Sequence, residues 1–143
     1  MRLLILALCT LLSAGNAQAA SISVDLRGAD KPALVSIQGT LILNDDEGFR
    51  ARTAALSQAI VAFESNGGNL LAGIRIGTLI RTRGFATLVR AGFQCASACA
   101  LAWLGGAVRH MDDGAKIGFH SASRNYSGLR VGLPPAMHSS VLT

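Results

Sequence analysis

"AIVAFESNGGNLLAGIRIGTLIRTRGF", residues 59–85, contains a complete structural unit. The apolar run 59–65 is the length of a buried strand, and "SNGGN" after it breaks any regular element. From Asn69 onward, Leu70, Gly73, Ile76, Gly77 and Ile80 fall on one face at helical spacing. Two glycines on that face lower helix propensity by about 1 kcal/mol each. They are expected where the helix lies almost backbone to backbone against a neighbour. Gly84 stands where a left-handed C-terminal cap belongs. A buried strand, a glycine turn and a packed helix together predict an α/β layer with largely parallel strands.

The flanks extend this pattern. Residues 20–28 alternate polar and apolar and read as a strand, and 33–43 read as one or two strands around Gly39. Acidic residues in "NDDEGF" open a helix over 47–58, with Phe49, Thr53 and Leu56 at helical spacing. A strand is expected at 85–90, a turn at 91–94 and a short apolar helix over 97–106. Strands follow at 107–111 and 115–122, joined by the "DDG" turn, and the last twenty residues show no clear period.

The chain has 143 residues and half of them are apolar, so one folded domain is expected. "MRLLILALCTLLSAGNAQAA" pairs a basic start with a short apolar run and a small-x-small site. It reads as a secretory leader over residues 1–19. Residues 20–143 would then form the domain, exported to the periplasm or secreted. The net charge of +5 is scattered, and there is one Trp and one Tyr. No basic, aromatic-interleaved surface for nucleic acid is built from such a pattern. The arginines read as solvated helix faces and strand ends.

Removal of the leader takes Cys9 and leaves Cys95 and Cys99, an even pair in an oxidising compartment. C-x3-C without a histidine pair is a poor zinc signature, and no metal or cofactor is expected. Within the span of a disulfide the two can close, although the Cβ directions of a regular helix fit poorly. Cys95 must therefore stand outside the helix, in the turn. The loop is too small for large entropic stabilisation, so its use would be to fix the Ser97 backbone.

Ser97 lies midway between these cysteines at the start of an apolar helix. It can be an ordinary helix cap or a nucleophile beside unpaired helix-start N–H groups that would hold an oxyanion. The Gly67–Gly68 doublet can be a plain turn or can aim an N–H at a ligand. His120 ends the strand "AKIGFH", either as a polar strand end or as a base for Ser97.

The order "SNGGNLLAGIRIGTLIRTRG", "CASACALAW", "AKIGFH" resembles the proteolytic subunit of Clp protease and its crotonase-like relatives, over about residues 33–122. The resemblance implies a layered α/β fold of repeated strand-strand-helix units that lacks its C-terminal part here. It implies Ser97 as nucleophile, His120 as base, and the N–H groups of Gly68 and Ala98 as the oxyanion hole. The packing helix corresponds to Gly73, Ile76 and Ile80, and the small-residue setting of the serine to Ala96 and Ala100. Such a chain would be a serine hydrolase of peptidase type. It would take an extended peptide or small acyl substrate, could form homo-oligomers, and would have no ATPase partner after export. Three departures stand out. Asn66 occupies a place where proline is common, cysteines flank the serine, and no Asp or Glu follows His120. Asn125 or a backbone carbonyl would have to orient the imidazole in place of the family's aspartate. The lost acid keeps a second reading open, an inactive scaffold or peptide-binding module on the same fold.

The leader reading is checked by mass. Exported protein is expected to weigh as residues 20–143, and a mature mass that retains Met1–Ala19 would remove it.

Overall fold

The computed structural model describes residues 19–120, 123–126, 129–132 and 140–142. Its main sheet runs in the order β1-β2-β3-β4-β6. These are β1 (Ser21–Asp25), β2 (Ala33–Gln38), β3 (Ala59–Glu64), β4 (Ala86–Val89) and β6 (Arg109–Met111). β1 is antiparallel to β2, and every other neighbour pair is parallel. Alternation in β2 sends Ala33, Val35 and Ile37 into the core, where Val61 and Phe63 of β3 meet them. Three helices accompany the sheet: α1 (Asp45–Thr53), α2 (Leu70–Thr82) and α3 (Ala98–Leu104).

α2 matches its sequence signals closely. The Asn69 side chain accepts from the Ala72 N–H at 3.0 Å and caps the start. At the other end Gly84 has φ 67°, its N–H donates to the Arg81 carbonyl, and the Phe85 N–H donates to that of Ile80. This is a Schellman ending, with Phe85 and Ile80 both buried beside it. Ala72, Gly73, Ile76, Gly77 and Ile80 form the buried face. Leu70 does not join them, and its partly exposed side chain serves the site described below.

The glycines of α2 are there for α3. A Cβ on Gly73 would overlap the Ala98 carbonyl oxygen, and one on Gly77 would stand 3.0 Å from that of Leu101. From the opposite side, Gly105 abuts the Gly77 backbone. The two helices therefore touch along their main chains, as the glycine spacing predicted.

The second sheet was not legible in the sequence. Gln94–Ala96, read as a turn running into a helix, is strand β5, and α3 begins only at Ala98. β5 pairs in parallel with β7 (Lys116–Phe119), which pairs antiparallel with β10 (Ser140–Leu142). Three residues are too few for a periodic pattern, and neighbouring segments impose the extended form: Ala96 N–H donates to Ser65 O, and Ser97 N–H to Gly118 O. β8 (Ser123–Tyr126) and β9 (Leu129–Gly132) form a hairpin where no period was visible.

Other expectations shift by a few residues. α1 starts at Asp45 because Asp45, Asp46 and Glu47 all fall in its first turn. Beyond β2, the predicted strand survives only as a single bridge between Leu41 and Gly68. One arginine is structural rather than a solvated charge. Arg83 donates to the Thr53 carbonyl, the Thr53 hydroxyl and the Ala54 carbonyl, closing the end of α1.

Gly73→Ala separates helix propensity from packing. Propensity alone would stabilise α2 by about 1 kcal/mol, whereas overlap with Ala98 should cost about 1–3 kcal/mol net in urea unfolding. Leu71→Ala on the exposed side should stay within about 0.5 kcal/mol. A stabilised Gly73→Ala variant would refute the backbone contact.

Candidate active site

Ser97 occupies the single residue between β5 and α3. Its backbone has φ 57° and ψ −124°, a left-handed conformation rare outside glycine. Holding a serine there costs about 1–3 kcal/mol, which surrounding structure must supply. The N–H donates to Gly118 O at 2.8 Å and the carbonyl accepts from Leu101 N–H at 3.3 Å. The hydroxyl makes no capping bond to α3. The helix-cap reading of Ser97 therefore has no hydrogen bond behind it. A strained serine at a sharp strand-to-helix turn presents its Oγ outward, the arrangement a nucleophile needs.

The half-buried Ser97 lines a small cleft of about 50 Å3 with Leu70, Leu101, Phe119 and His120. His120 reaches it from the residue after β7, the strand paired with β5. Parallel pairing of these two strands thus brings the serine and the histidine to one end of the same sheet. Residues 23 apart in sequence share one cleft because each follows its strand directly.

The glycine turn lies against the backbone around Ser97. Cys95 bridges to Ser65 in parallel register, which lays the turn beside β5. Gly67, with φ 96°, comes so close that a Cβ there would stand 2.7 Å from the Ser97 Cβ and 3.0 Å from the Ala98 nitrogen. The contact role of Gly67 was missed in the sequence, where the doublet offered the only hint. Its own N–H donates to the Ser65 hydroxyl at 3.0 Å, and the Asn69 N–H donates to Leu41 O at 2.7 Å. Of these three consecutive amides, that of Gly68 alone donates to no described residue. Gly68 has φ 135° and lies so close to Leu41 that no side chain fits. The Ala98 N–H lies in the first turn of α3, where no intrahelical acceptor exists. The same glycine turn contributes Ser65 and Asn66 to a wider polar groove of about 510 Å3 at the carboxyl ends of β2 and β3.

Cys95 and Cys99 are joined, with Cα atoms 5.2 Å apart, and both are buried. Cys95 lies outside the helix as expected, but in strand β5 rather than in a turn. No carboxylate lines the cleft among the described residues. Asp112 and Asp113 are exposed in the turn before β7, at the far end from His120. The side chain of Asn125 lies outside the described structure. Among the described residues there is no cluster suited to a metal ion.

Known structures share this arrangement of strands and helices. A ClpP1 variant from Listeria monocytogenes superposes with a TM-score of 0.56 at 18% identity, covering 62% of this chain and 56% of that one. A substrate-peptide complex of the membrane-bound stomatin-specific protease 1510-N gives 0.55 at 23% identity, covering 71% and 51%. A serine-to-alanine variant of the same protease gives 0.52 at 19% identity, covering 70% and 53%. The fold is Clp protease-like. The chain spans about half the length of these Clp protease-like structures. No protein-family model matches the chain, and no curated protein matches it in sequence.

Close approach of the glycine turn to Ser97 is open to test. Gly67→Ala and Gly28→Ala both place a side chain at positive φ, but only the first meets other atoms. Gly67→Ala should be the more destabilising by about 1–3 kcal/mol in urea. Equal losses would mean that the turn does not press on Ser97.

Proposed function

We propose that this chain is an exported serine hydrolase of peptidase type. The observation that carries the reading is the conformation of Ser97: left-handed, without a capping bond, and in one cleft with His120. Strain of this kind concentrates at functional sites. In the proposed mechanism the His120 imidazole accepts the Ser97 hydroxyl proton as Oγ attacks a substrate carbonyl carbon. The N–H groups of Gly68 and Ala98 hold the resulting oxyanion, and the proton passes from His120 to the leaving amine. Water then repeats the sequence to release the acyl group. Leu70, Leu101 and Phe119 give the cleft apolar walls. Such a cleft favours a small apolar group next to the scissile carbonyl, and the polar groove along the glycine turn leaves room for an extended chain. Homo-oligomers belong to the same reading, as does export to the periplasm or beyond. After export no ATPase would feed the site, so the substrate would be a small or already extended peptide, or another small acyl compound.

A peptide-binding scaffold is the second reading. It is favoured by the cleft itself, which no carboxylate lines among the described residues.

A fluorophosphonate probe separates the two. The oxidised protein should be labelled on Ser97, and Ser97→Ala should remove labelling. His120→Ala should slow it by about 10²–10⁴-fold, the usual worth of a general base. Because the hydroxyl caps nothing, Ser97→Ala should change stability by less than about 0.5 kcal/mol, against about 1 kcal/mol for a lost cap. A folded wild type that resists the probe, or a His120→Ala variant labelled at the wild-type rate, would leave the scaffold reading.

A further inference from the structure

The disulfide encloses the one serine at positive φ among the described residues. Cys95 lies in β5, Cys99 in α3, and the ring they close holds only Ala96, Ser97 and Ala98 between them. α3 has seven residues, and nothing in its local sequence bars it from extending backwards over Ser97. That extension is the obvious relaxation, because Ser97 would then leave its left-handed conformation for a helical one. In a regular helix, however, residues four apart have Cβ atoms about 5–6 Å apart. A disulfide needs Cβ atoms about 3.5–4.5 Å apart. A closed Cys95–Cys99 bridge therefore excludes a regular helix that runs back through Ser97 to Cys95.

The hydrogen bonds at Ser97 do not impose the same restriction. Its N–H is held by Gly118 O and its carbonyl by Leu101 N–H. The second of these is itself a bond of the helical type, from residue 101 back to residue 97, and survives if α3 lengthens. The bridge instead fixes the chain two residues before and two residues after the serine. It thereby restricts the direction in which the backbone enters and leaves Ser97. We infer that the Cys95–Cys99 disulfide is a positioning device for Ser97, so that the cleft with His120 and the glycine turn is fully assembled only in the oxidised chain.

This inference rests on Ser97 being the nucleophile, and its chemistry is a two-electron exchange. A dithiol breaks the Sγ–Sγ bond, each cysteine sulfur gains a hydrogen, and the reagent closes to its own disulfide. Both sulfurs are buried, so reduction requires the segment to open first. The bridge is thus kept where it forms, in an oxidising compartment, and is not cycled rapidly.

The test compares the oxidised chain, the same chain reduced with dithiothreitol and then reoxidised, and the double variant Cys95→Ala/Cys99→Ala. Three readouts are followed: the rate of fluorophosphonate labelling of Ser97, hydrogen exchange over residues 95–101, and the cooperative unfolding midpoint. Loss of the bridge is expected to slow labelling about tenfold or more, as the competent conformer becomes a minor one. Exchange should rise over 95–101 and remain low in β2, β3 and β4, and reoxidation should restore the rate. A reduced or variant chain that stays folded, labels at the oxidised rate and exchanges no faster around Ser97 would overturn the inference. So would a lower unfolding midpoint with an unchanged labelling rate per folded molecule, since that is a structural role only. If the double variant does not fold, the reduced and reoxidised wild type decides. If even the oxidised chain resists the probe, the hydrolase reading fails by itself, and exchange alone judges the positioning: raised exchange on reduction supports it and unchanged exchange refutes it.

Discussion

Gly73 of α2 lies against the Ala98 carbonyl with no room for a side chain between them. Everything distinctive about the molecule follows from how closely α2 meets the first turn of α3. Gly77 and Gly105 continue the contact one helical turn further on. Because interiors are packed without slack, a contact at main-chain distance fixes the position of α3 to within fractions of an ångström. The start of α3 is where Ser97 sits, so the packing of two helices becomes the placement of one hydroxyl.

A second constraint acts on the same junction. β5 is a strand of three residues, held on one side by β7 and on the other by the bridge to Ser65. That strand determines where the chain arrives at Ser97, and α3 determines where it leaves. The two directions are incompatible with any relaxed conformation of an L-residue at the junction, and the serine takes up the difference at φ 57°. A small residue is needed, together with small neighbours: Ala96, Ala98 and Gly67 crowd the same spot. The strain, the lack of a capping bond and the adjacent unpaired amide of Gly68 are consequences of one junction, not independent devices.

The shared fold with ClpP1 and the stomatin-specific protease covers the part of those structures that this chain spans, about half of their length. Identities of 18–23% leave almost no common side chains to argue from. What the comparison shares is the course of the backbone. Function is carried by the site and not by the fold. The chemistry proposed here accordingly stands on Ser97, His120 and the amide of Gly68. The buried Cys95–Cys99 pair adds a covalent tie at the same junction.

Local signals were enough for much of the architecture. The length of the apolar run 59–65, the period of α2, its Asn69 cap and its Gly84 ending depend on neighbours in sequence, so residues alone determined them. The two glycines on the buried face of α2 even announced a close helix partner, because only such a partner offsets their cost in helix propensity. Ser97, His120 and the glycine doublet were visible as candidates by type and place, whereas the roles of Gly68 and Ala98 came only through the resemblance to Clp protease. What sequence could not decide is which conformation Ser97 adopts and who faces it. A serine before an apolar helix reads as a cap by local preference. Its left-handed backbone depends on β5 being held straight by β7 and Ser65, partners distant in the chain, as well as on the bridge to Cys99. The same holds for Gly67, whose contact with Ser97 depends on the glycine turn reaching across to β5, and for Leu70, which leaves the core face of α2 to line the cleft. Periodicity records which face of an element is buried. Tertiary pairing alone determines which atoms meet there, because strain and proximity are created by the convergence of segments whose separations in sequence carry no pattern.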